Sequence, residues 1–369
     1  MTTTAAEREH WQPDWSVPPG DVLQEALEER SMTQAELARR MGRPLKTINE
    51  IVKAKAAVTP DTAIQLERAL GISAQFWNGL ETNYRAQIAR RKAIDELEGH
   101  VEWSKRFPLS DLRKRDLVRS GVSKSQVVED LLKFFGVGSP RGWEQQWERS
   151  FASYRSSPSF ESDRESLSAW LRWGEIKADE IECARFDHSR WVETVHAART
   201  LTTKQPISLA ITDLRSMCAD AGVAVVLTPE FRGTHLNGAA HWPTREKAVI
   251  QLSLRHKRDD QFWFTFFHEA GHLIESPGKD YVDFPPGKPG ERSLEDDAEQ
   301  VADEVAGRLL IPEHEYQRFL THRDFSKGAV VGFAEHVGIA PGIVVGRLQH
   351  DKAIPWSRLN FLKRPLHLV

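Results

Sequence analysis

Two histidines and a glutamate in the segment His268–His272 have the types and spacing that a hydrolytic metal site needs. Residues four apart lie almost one above the other on a helix, so both imidazoles can bind one zinc ion. Glu269 would lie beside them, where its carboxylate can take a proton from a water molecule. The alternative is a buried helix whose histidines are four apart by chance.

A second segment, Glu299–Asp303, offers the third ligand. The apolar residues around it recur with helical spacing, and Pro312 would end the helix. An open tetrahedral zinc site has three protein ligands and a position for water, so Glu299 is expected to complete the set. Asp303 lies one turn further on, where it can accept the free N–H of a zinc-bound histidine. The alternative is that both acids belong to a solvated face.

Together these motifs resemble the ImmA/IrrE metallo-endopeptidases, which combine H-E-x-x-H with a helix of the form E-x-x-A-(N/D)-x-(F/V)-A-x-x-L-(L/I)-x-P. The resemblance covers roughly residues 207–351, with Val305 where phenylalanine is usual. It implies a zincin-like α+β domain, with Glu269 as general base and zinc on His268, His272 and Glu299. Such proteins cleave a partner transcriptional repressor. The ligand types leave Mn²⁺ open as an alternative to Zn²⁺.

Two apolar segments before this helix, residues 222–228 and 248–254, are predicted strands. The second alternates apolar and polar residues, which favours a sheet edge to which an extended peptide can add. Between them lie His235 and Asn237. His235 is a candidate catalytic residue that would stabilise an oxyanion or line the substrate groove, with loop capping as the alternative. Tyr281 is a weaker oxyanion candidate.

The N-terminal part has the spacing of a helix-turn-helix: a helix opened by Thr33, a turn at Gly42 and a second helix over residues 46–52. From Thr33 to Lys55 there are six basic residues against two acidic ones. This local excess favours contact with phosphates, although the whole chain has a net charge of −3.

Residues 17–84 resemble the XRE helix-turn-helix of HigA-type antitoxins in the order and spacing of these segments, of Thr59–Leu66 and of Phe76–Trp77. Carried over by position, the resemblance implies that base edges of double-stranded operator DNA are contacted by Lys46, Thr47 and Asn49. It implies phosphate contacts from Gln34, Lys53 and Lys55. Dimers usually bind operators of this fold, so a homodimer is expected. The alternative is a helical module that binds protein.

The predicted fold class is multidomain α + (α+β). It comprises an all-α helix-turn-helix domain over residues 1–90, a helical connecting region over 91–203 and a zincin-like metallopeptidase domain over 204–369. The tryptophans of the connecting region are expected to be core residues. Residues 334–348 also have helix-turn-helix spacing, but with too little positive charge for DNA, and are expected to pack beneath the metal-site helices.

The N-terminus has no apolar signal-peptide core, and no segment approaches the roughly 18 apolar residues of a membrane span. A cytoplasmic protein without membrane contact is therefore expected. Cys183 and Cys218 are far apart in sequence and suit reduced, buried thiols better than a disulfide framework.

Two functions fit these features. The first is a DNA-binding transcriptional regulator with a zinc-dependent endopeptidase domain that cleaves itself or a partner repressor. The second is a non-catalytic repressor or antitoxin whose zinc domain senses a ligand or binds a partner such as a toxin. Glu269 favours the first function, and the antitoxin-like N-terminal part favours the second.

Overall fold

The computed structural model describes residues 17–153, 164–232, 234, 236–253, 255, 257–283 and 294–366. The described residues form two compact units: the first comprises those up to residue 100 together with 124–126, and the second comprises those of 101–123 and those from 127 onward. The boundaries expected at residues 90 and 203 stay a prediction.

Five helices form the first unit: α1 (Pro19–Glu29), α2 (Gln34–Met41), α3 (Leu45–Val52), α4 (Pro60–Leu70) and α5 (Ala74–Glu96). Thr33 caps α2 by accepting a hydrogen bond from the Glu36 N–H. Gly42 ends α2 with φ of 65°, a left-handed conformation that glycine adopts without steric cost. The predicted helix-turn-helix is confirmed, with α3 as its second helix.

The apolar faces of these helices share one core, formed by Leu23, Leu27, Leu37, Ile48, Ile51, Ala63, Leu66 and Trp77 among others. Gly20 lets α1 approach the end of α3, since a β-carbon there would lie 2.3 Å from the Ile51 carbonyl oxygen. Ile48 and Ile51 are buried, so α3 packs against the core with the face that carries them. Lys46 lies outside this face and is exposed.

The second unit contains a mixed sheet in the order β1-β3-β2-β4, formed by β1 (Val223–Leu227), β2 (Gly238–Thr244), β3 (Lys247–Leu252) and β4 (Tyr281–Asp283). β3 is parallel to β1 and antiparallel to β2, and β2 is antiparallel to β4. The two predicted strands are confirmed as β1 and β3. The expectation that β3 forms a sheet edge is wrong, because β3 pairs on both sides.

The polar face of β3 is buried beneath α10 (Arg164–Asp179). Gln251 is fully buried, and its Nε2 donates hydrogen bonds to the Trp170 carbonyl and the Thr228 hydroxyl, both at 2.7 Å. A β-carbon at Gly174 would lie 2.0 Å from Gln251 Oε1, so only glycine allows this approach. The alternation in β3 therefore reflects a buried amide that hydrogen-bonds a helix, not a solvated face.

The other face of the sheet packs against α11 (His188–Ala198), α12 (Ile207–Asp220) and α13 (Asp259–Glu275), and α14 (Leu294–Leu310) packs along α13. This core contains Val223, Val225, Ile250, Leu252, Trp191, Trp263, Phe266 and Phe267. With an all-α first unit and this helix-covered mixed sheet, the predicted class of multidomain α + (α+β) is confirmed.

In the described part of the chain, four further α-helices lie between α5 and α10: α6 (Val101–Ser104), α7 (Leu109–Lys114), α8 (Lys124–Phe135) and α9 (Pro140–Ser153). An aromatic cluster joins α6, α8 and α9, formed by Trp103, Phe107, Phe135, Trp143 and Trp147. The prediction that tryptophans here are core residues is confirmed for Trp143, Trp147, Trp170 and Trp191, all of which are buried, whereas Trp173 is half-buried and stacks on Phe231.

The last helices are α15 (Glu313–Thr321), α16 (Lys327–Val337) and α17 (Pro341–His350). As predicted for residues 334–348, α16 and α17 lie beneath α13, the helix with the H-E-x-x-H motif, and α17 packs directly on α13. Lys363 Nζ lies 2.6 Å from Asp260 Oδ2, which ties the following segment to the start of α13. Among the described residues no single helix could span a membrane; α16 and α17 qualify only as a pair, with a bend of 111° between them. Both cysteines are free, as predicted, and Cys218 is buried, but the expected burial is wrong for Cys183, which is half-buried.

Candidate functional site

The H-E-x-x-H residues lie in the second half of α13, a helix held in the core by its aromatic side chains. Trp263, Phe266 and Phe267 are fully buried in its first half. His268, Glu269 and His272 are themselves buried, at 4%, 0% and 3% exposure. Because buried polar groups need partners, their surroundings decide what they can do.

Glu299 reaches both histidines from α14. Its Oε2 lies 2.9 Å from His268 Nε2, and its Oε1 lies 3.4 Å from His272 Nε2. The two Nε2 atoms are 3.2 Å apart. Three residues separated by up to 31 positions in sequence therefore present their donor atoms to one point, and their role as metal ligands stays a prediction.

These separations fit a small divalent cation. Ligand atoms held about 2.0–2.1 Å from a tetrahedral zinc ion lie about 3.3 Å from one another. The three distances here, 2.9, 3.2 and 3.4 Å, are close to that value. Two imidazoles and one carboxylate are also a ligand set that leaves one position of a catalytic zinc site open.

Asp303 holds the first histidine from the opposite side of its ring. Its Oδ1 lies 2.9 Å from His268 Nδ1. A proton on Nδ1 donated to this carboxylate leaves the Nε2 lone pair directed at the ligand cluster. The structure thus brings Asp303 to the position expected from its one-turn offset from Glu299.

Burial and mutual contacts shift the pKa values of two members of the cluster. Burial lowers the pKa of His272, against the opposing effect of Glu299. Burial raises the pKa of Glu299, but its contacts with the His268 and His272 rings outweigh that effect and lower the pKa to about 2. At neutral pH, Glu299 is therefore ionised and His272 is neutral, as ligands must be.

The two helices that carry the candidate ligands, α13 and α14, approach each other closely at Gly271. A β-carbon there would lie 3.3 Å from Val305 Cγ1 and 3.5 Å from Ala302 Cα. These small residues bring the backbone of α13 near that of α14 beside His272. Val305 packs against Gly271 at this contact.

Gly238 at the start of β2 is a part of the site that the sequence analysis did not identify. A β-carbon there would lie 2.4 Å from Glu269 Oε1 and 2.9 Å from Thr265 Cγ2. The Glu269 carboxylate therefore lies against the backbone of β2. The only sequence signal is a glycine within a strand, which often marks a close approach of another group.

The remaining candidates lie near this contact or outside the described residues. His235 lies outside them, so its catalytic role stays a prediction. Asn237 is adjacent to Gly238, and its buried Oδ1 accepts no hydrogen bond within the described part of the chain. Tyr281 stacks on His272, with ring centroids 4.1 Å apart and planes at 8°.

In the first unit, α3 carries Lys46, Thr47 and Asn49 on the face away from the core. Asn49 Nδ2 lies 3.4 Å from Gln34 Oε1, and Gln34 Nε2 donates to Gln24 Oε1 at 3.2 Å. The three amides thus link α1, α2 and α3. Lys53 and Lys55 are exposed just after α3. Contact of these residues with DNA stays a prediction.

Comparison with known families agrees with both units. Residues 23–77 match the helix-turn-helix family, and residues 218–349 match the IrrE N-terminal-like domain of the M78 peptidase family. The fold and the site thus define a regulator of two parts. The chain belongs to the XRE-type helix-turn-helix family, and its C-terminal part is an IrrE N-terminal-like domain.

Two curated relatives match the first part alone. The uncharacterized HTH-type transcriptional regulator YddM of Escherichia coli (strain K12) is 40% identical over 77 residues, which are 21% of this chain and 81% of YddM. Virulence-associated protein I of Dichelobacter nodosus is 32% identical over 77 residues, which are 21% of this chain and 71% of that protein. The N-terminal part is therefore a DNA-binding regulator domain.

Two solved structures that are similar to this chain also match only a fraction of it. Pseudomonas aeruginosa antitoxin HigA with the higBA promoter is 32% identical, covers 23% of this chain and 94% of its own, and has a TM-score of 0.22. PA4674 of Pseudomonas aeruginosa in complex with its operator DNA is 36% identical, covers 20% and 82%, and has a TM-score of 0.20. At these TM-scores the likeness adds nothing to the family assignment.

Proposed function

We propose that this regulator binds operator DNA and that its C-terminal domain is a zinc-dependent endopeptidase that cleaves itself or a partner repressor. The observation that carries the proposal is the convergence of His268, His272 and Glu299 beside Glu269. A structural ion pair does not need two imidazole nitrogens 3.2 Å apart that point at one carboxylate. A hydrolytic metal site does.

The residues divide the chemistry among them. His268, His272 and Glu299 would hold zinc, and Asp303 would orient His268. Zinc in such a site acts as a Lewis acid and lowers the pKa of water. Glu269 would take a proton from the attacking water and deliver it to the leaving nitrogen of the peptide. Cleavage of the operator-bound repressor, or of this chain, would then relieve repression.

The test uses purified full-length protein loaded with zinc or with manganese. Metal content is measured by mass spectrometry, and cleavage is followed by gel electrophoresis of the protein itself and of added β-casein. We expect Glu269→Gln to keep the metal and to produce no fragments, because the amide cannot take a proton. We expect Glu299→Ala to lose the metal.

Two outcomes would contradict the proposal. Glu269→Gln that cuts at the wild-type rate would exclude Glu269 as the base. Glu299→Ala that binds metal as tightly as the wild type would exclude the assigned ligand set. Glu304→Ala, which removes an exposed carboxylate from the same helix, is the control that should change neither property.

A second candidate is a non-catalytic repressor or antitoxin whose metal domain senses a ligand or binds a toxin. The complete burial of Glu269 favours it, because a general base must meet water. Absence of fragments from metal-loaded wild-type protein, with operator binding intact, would support this second function.

A further inference from the structure

The backbone edge of β2 beside Glu269 is covered by a short segment of the same chain. β4 is only three residues long, and it pairs antiparallel with β2. The partners are Gly238 with Asp283, Ala239 with Val282 and Ala240 with Tyr281. Gly238, at one end of this pairing, is the residue whose backbone meets Glu269 Oε1.

The same segment also reaches the candidate metal ligands. Tyr281 lies parallel to the His272 ring at 4.1 Å. It also forms one wall of a cavity of about 250 Å³, whose other lining residues include Gly271, His272, Val301 and Ala302. β4 therefore runs as an extended strand between the β2 edge and a metal ligand, with an aromatic side chain at the ligand.

This is the path that an extended peptide must follow to meet both Glu269 and the metal ligands. A peptide that adds to a sheet edge gains main-chain hydrogen bonds, and pockets for its side chains provide specificity. We propose that β4 occupies this edge of β2, residues 238–240, as a built-in competitor of an extended peptide substrate. The substrate is then an unfolded segment with an aromatic side chain at the place of Tyr281.

Among the described residues, β4 is held by three backbone pairs to β2, by the buried Val282 side chain and by the Tyr281 ring, so its displacement breaks a small set of contacts. A three-residue strand contributes little pairing energy, and short edge strands are the least stable part of a sheet. At its start, Asp280 Oδ1 accepts a hydrogen bond from the Trp242 N–H at 2.8 Å. Asp280 and the Tyr281 ring are thus two contacts that can be removed without replacing any candidate metal ligand, although the Tyr281 ring does contact His272.

This inference rests on the proposed function for its biological meaning, but its test measures binding. The probe is fluorescein-labelled β-casein, an unfolded protein, and the readout is fluorescence anisotropy with zinc-loaded full-length Glu269→Gln protein. In this background we expect Asp280→Ala and Tyr281→Ala each to lower the apparent Kd by about three- to tenfold. β-Casein can bind only when β4 has left the β2 edge, and each variant increases the fraction of protein with a free edge.

Two matched variants serve as controls. Lys279→Ala removes an exposed side chain next to Asp280, and Tyr281→Phe keeps the ring on His272; both should bind β-casein like the parent. Zinc content and melting temperature verify folding, and if Asp280→Ala does not fold, Tyr281→Ala alone decides. If folded Asp280→Ala and Tyr281→Ala proteins bind β-casein as tightly as the parent or more weakly, the proposal is overturned and β4 is part of the peptide-binding surface.

The same variants with Glu269 intact separate the two proposals. If Asp280→Ala and Tyr281→Ala bind β-casein more tightly but no variant produces fragments, the proposed endopeptidase function is wrong and the proposal for β4 is supported. Cleavage by the wild type, with no gain in binding for Asp280→Ala or Tyr281→Ala, means that the competitor strand fails while the endopeptidase function stands.

Discussion

Gly238 in β2 lies directly against Glu269 in α13, and a β-carbon at residue 238 would lie 2.4 Å from Glu269 Oε1. β2 pairs with β3 on one side and with β4 on the other, so the strand has little freedom to retreat. The position of the glutamate carboxylate is therefore set by a backbone that carries no side chain at this point.

We expect Gly238→Ala to abolish or strongly reduce cleavage while metal content stays at the wild-type level, because the clash displaces Glu269 and not the ligands. Overpacking of this kind costs about 1–3 kcal/mol of unfolding free energy, which urea denaturation would measure. Gly332→Ala in α16, where a β-carbon meets nothing within 4 Å, is the control and should not destabilise. Full activity of Gly238→Ala would show that Glu269 is not held by this contact.

Asp303 provides a prediction about metal affinity. Its Oδ1 lies 2.9 Å from His268 Nδ1, so Asp303→Ala should leave the ligand ring free to rotate. Loss of such a partner typically lowers metal affinity about 10- to 100-fold. Competition with a zinc chelator would measure this change, with Glu304→Ala as the control. An unchanged zinc affinity would mean that Asp303 belongs to a solvated face.

His241 in β2 makes the stability of the fold depend on pH. Burial lowers its pKa to about 4, although Asp280 opposes the shift. The neutral ring therefore stabilises the fold fully above the unfolded pKa of about 6.5, and this contribution is lost as pH falls through about 4. Between about pH 7.5 and 5, the unfolding free energy of His241→Gln should fall by about 1–2 kcal/mol less than that of the wild type.

Urea denaturation at the two pH values is the measurement for His241. His322→Gln, which replaces an exposed histidine, should keep the wild-type pH dependence. If His241→Gln also keeps it, another buried group causes the loss of stability in acid.

The proposed DNA contacts predict two different kinds of loss. With duplexes selected by the wild type from a random pool, Asn49→Ala should lose about 1–3 kcal/mol of discrimination between bases. Lys53→Ala should weaken all sequences alike and reduce the slope of log K against log salt by about 1. Lys92→Ala removes an exposed charge on α5 and should change neither quantity. Identical behaviour of Asn49→Ala and Lys53→Ala would contradict the assignment.

The local patterns of the chain were sufficient for the helices of the candidate metal site and for the three residues that converge there. His268 and His272 are four apart, so a helix alone aligns them, and Glu299 and Asp303 share a second helix by the same rule. Thr33 and Gly42 mark the ends of α2 through capping chemistry that depends only on neighbouring residues. These features depend on contacts within a few residues, which is why they can be read without the fold.

What the strands contact depended on the tertiary structure. The alternation in β3 indicated a strand correctly, but it could not show that both faces of the strand are buried and that Gln251 hydrogen-bonds Trp170 of a distant helix. In the same way, nothing near Gly238 or Tyr281 in the sequence indicates that one meets Glu269 and the other His272. Periodicity reports which side of an element is apolar, whereas partners brought together by chain topology are set by the packing of the whole domain.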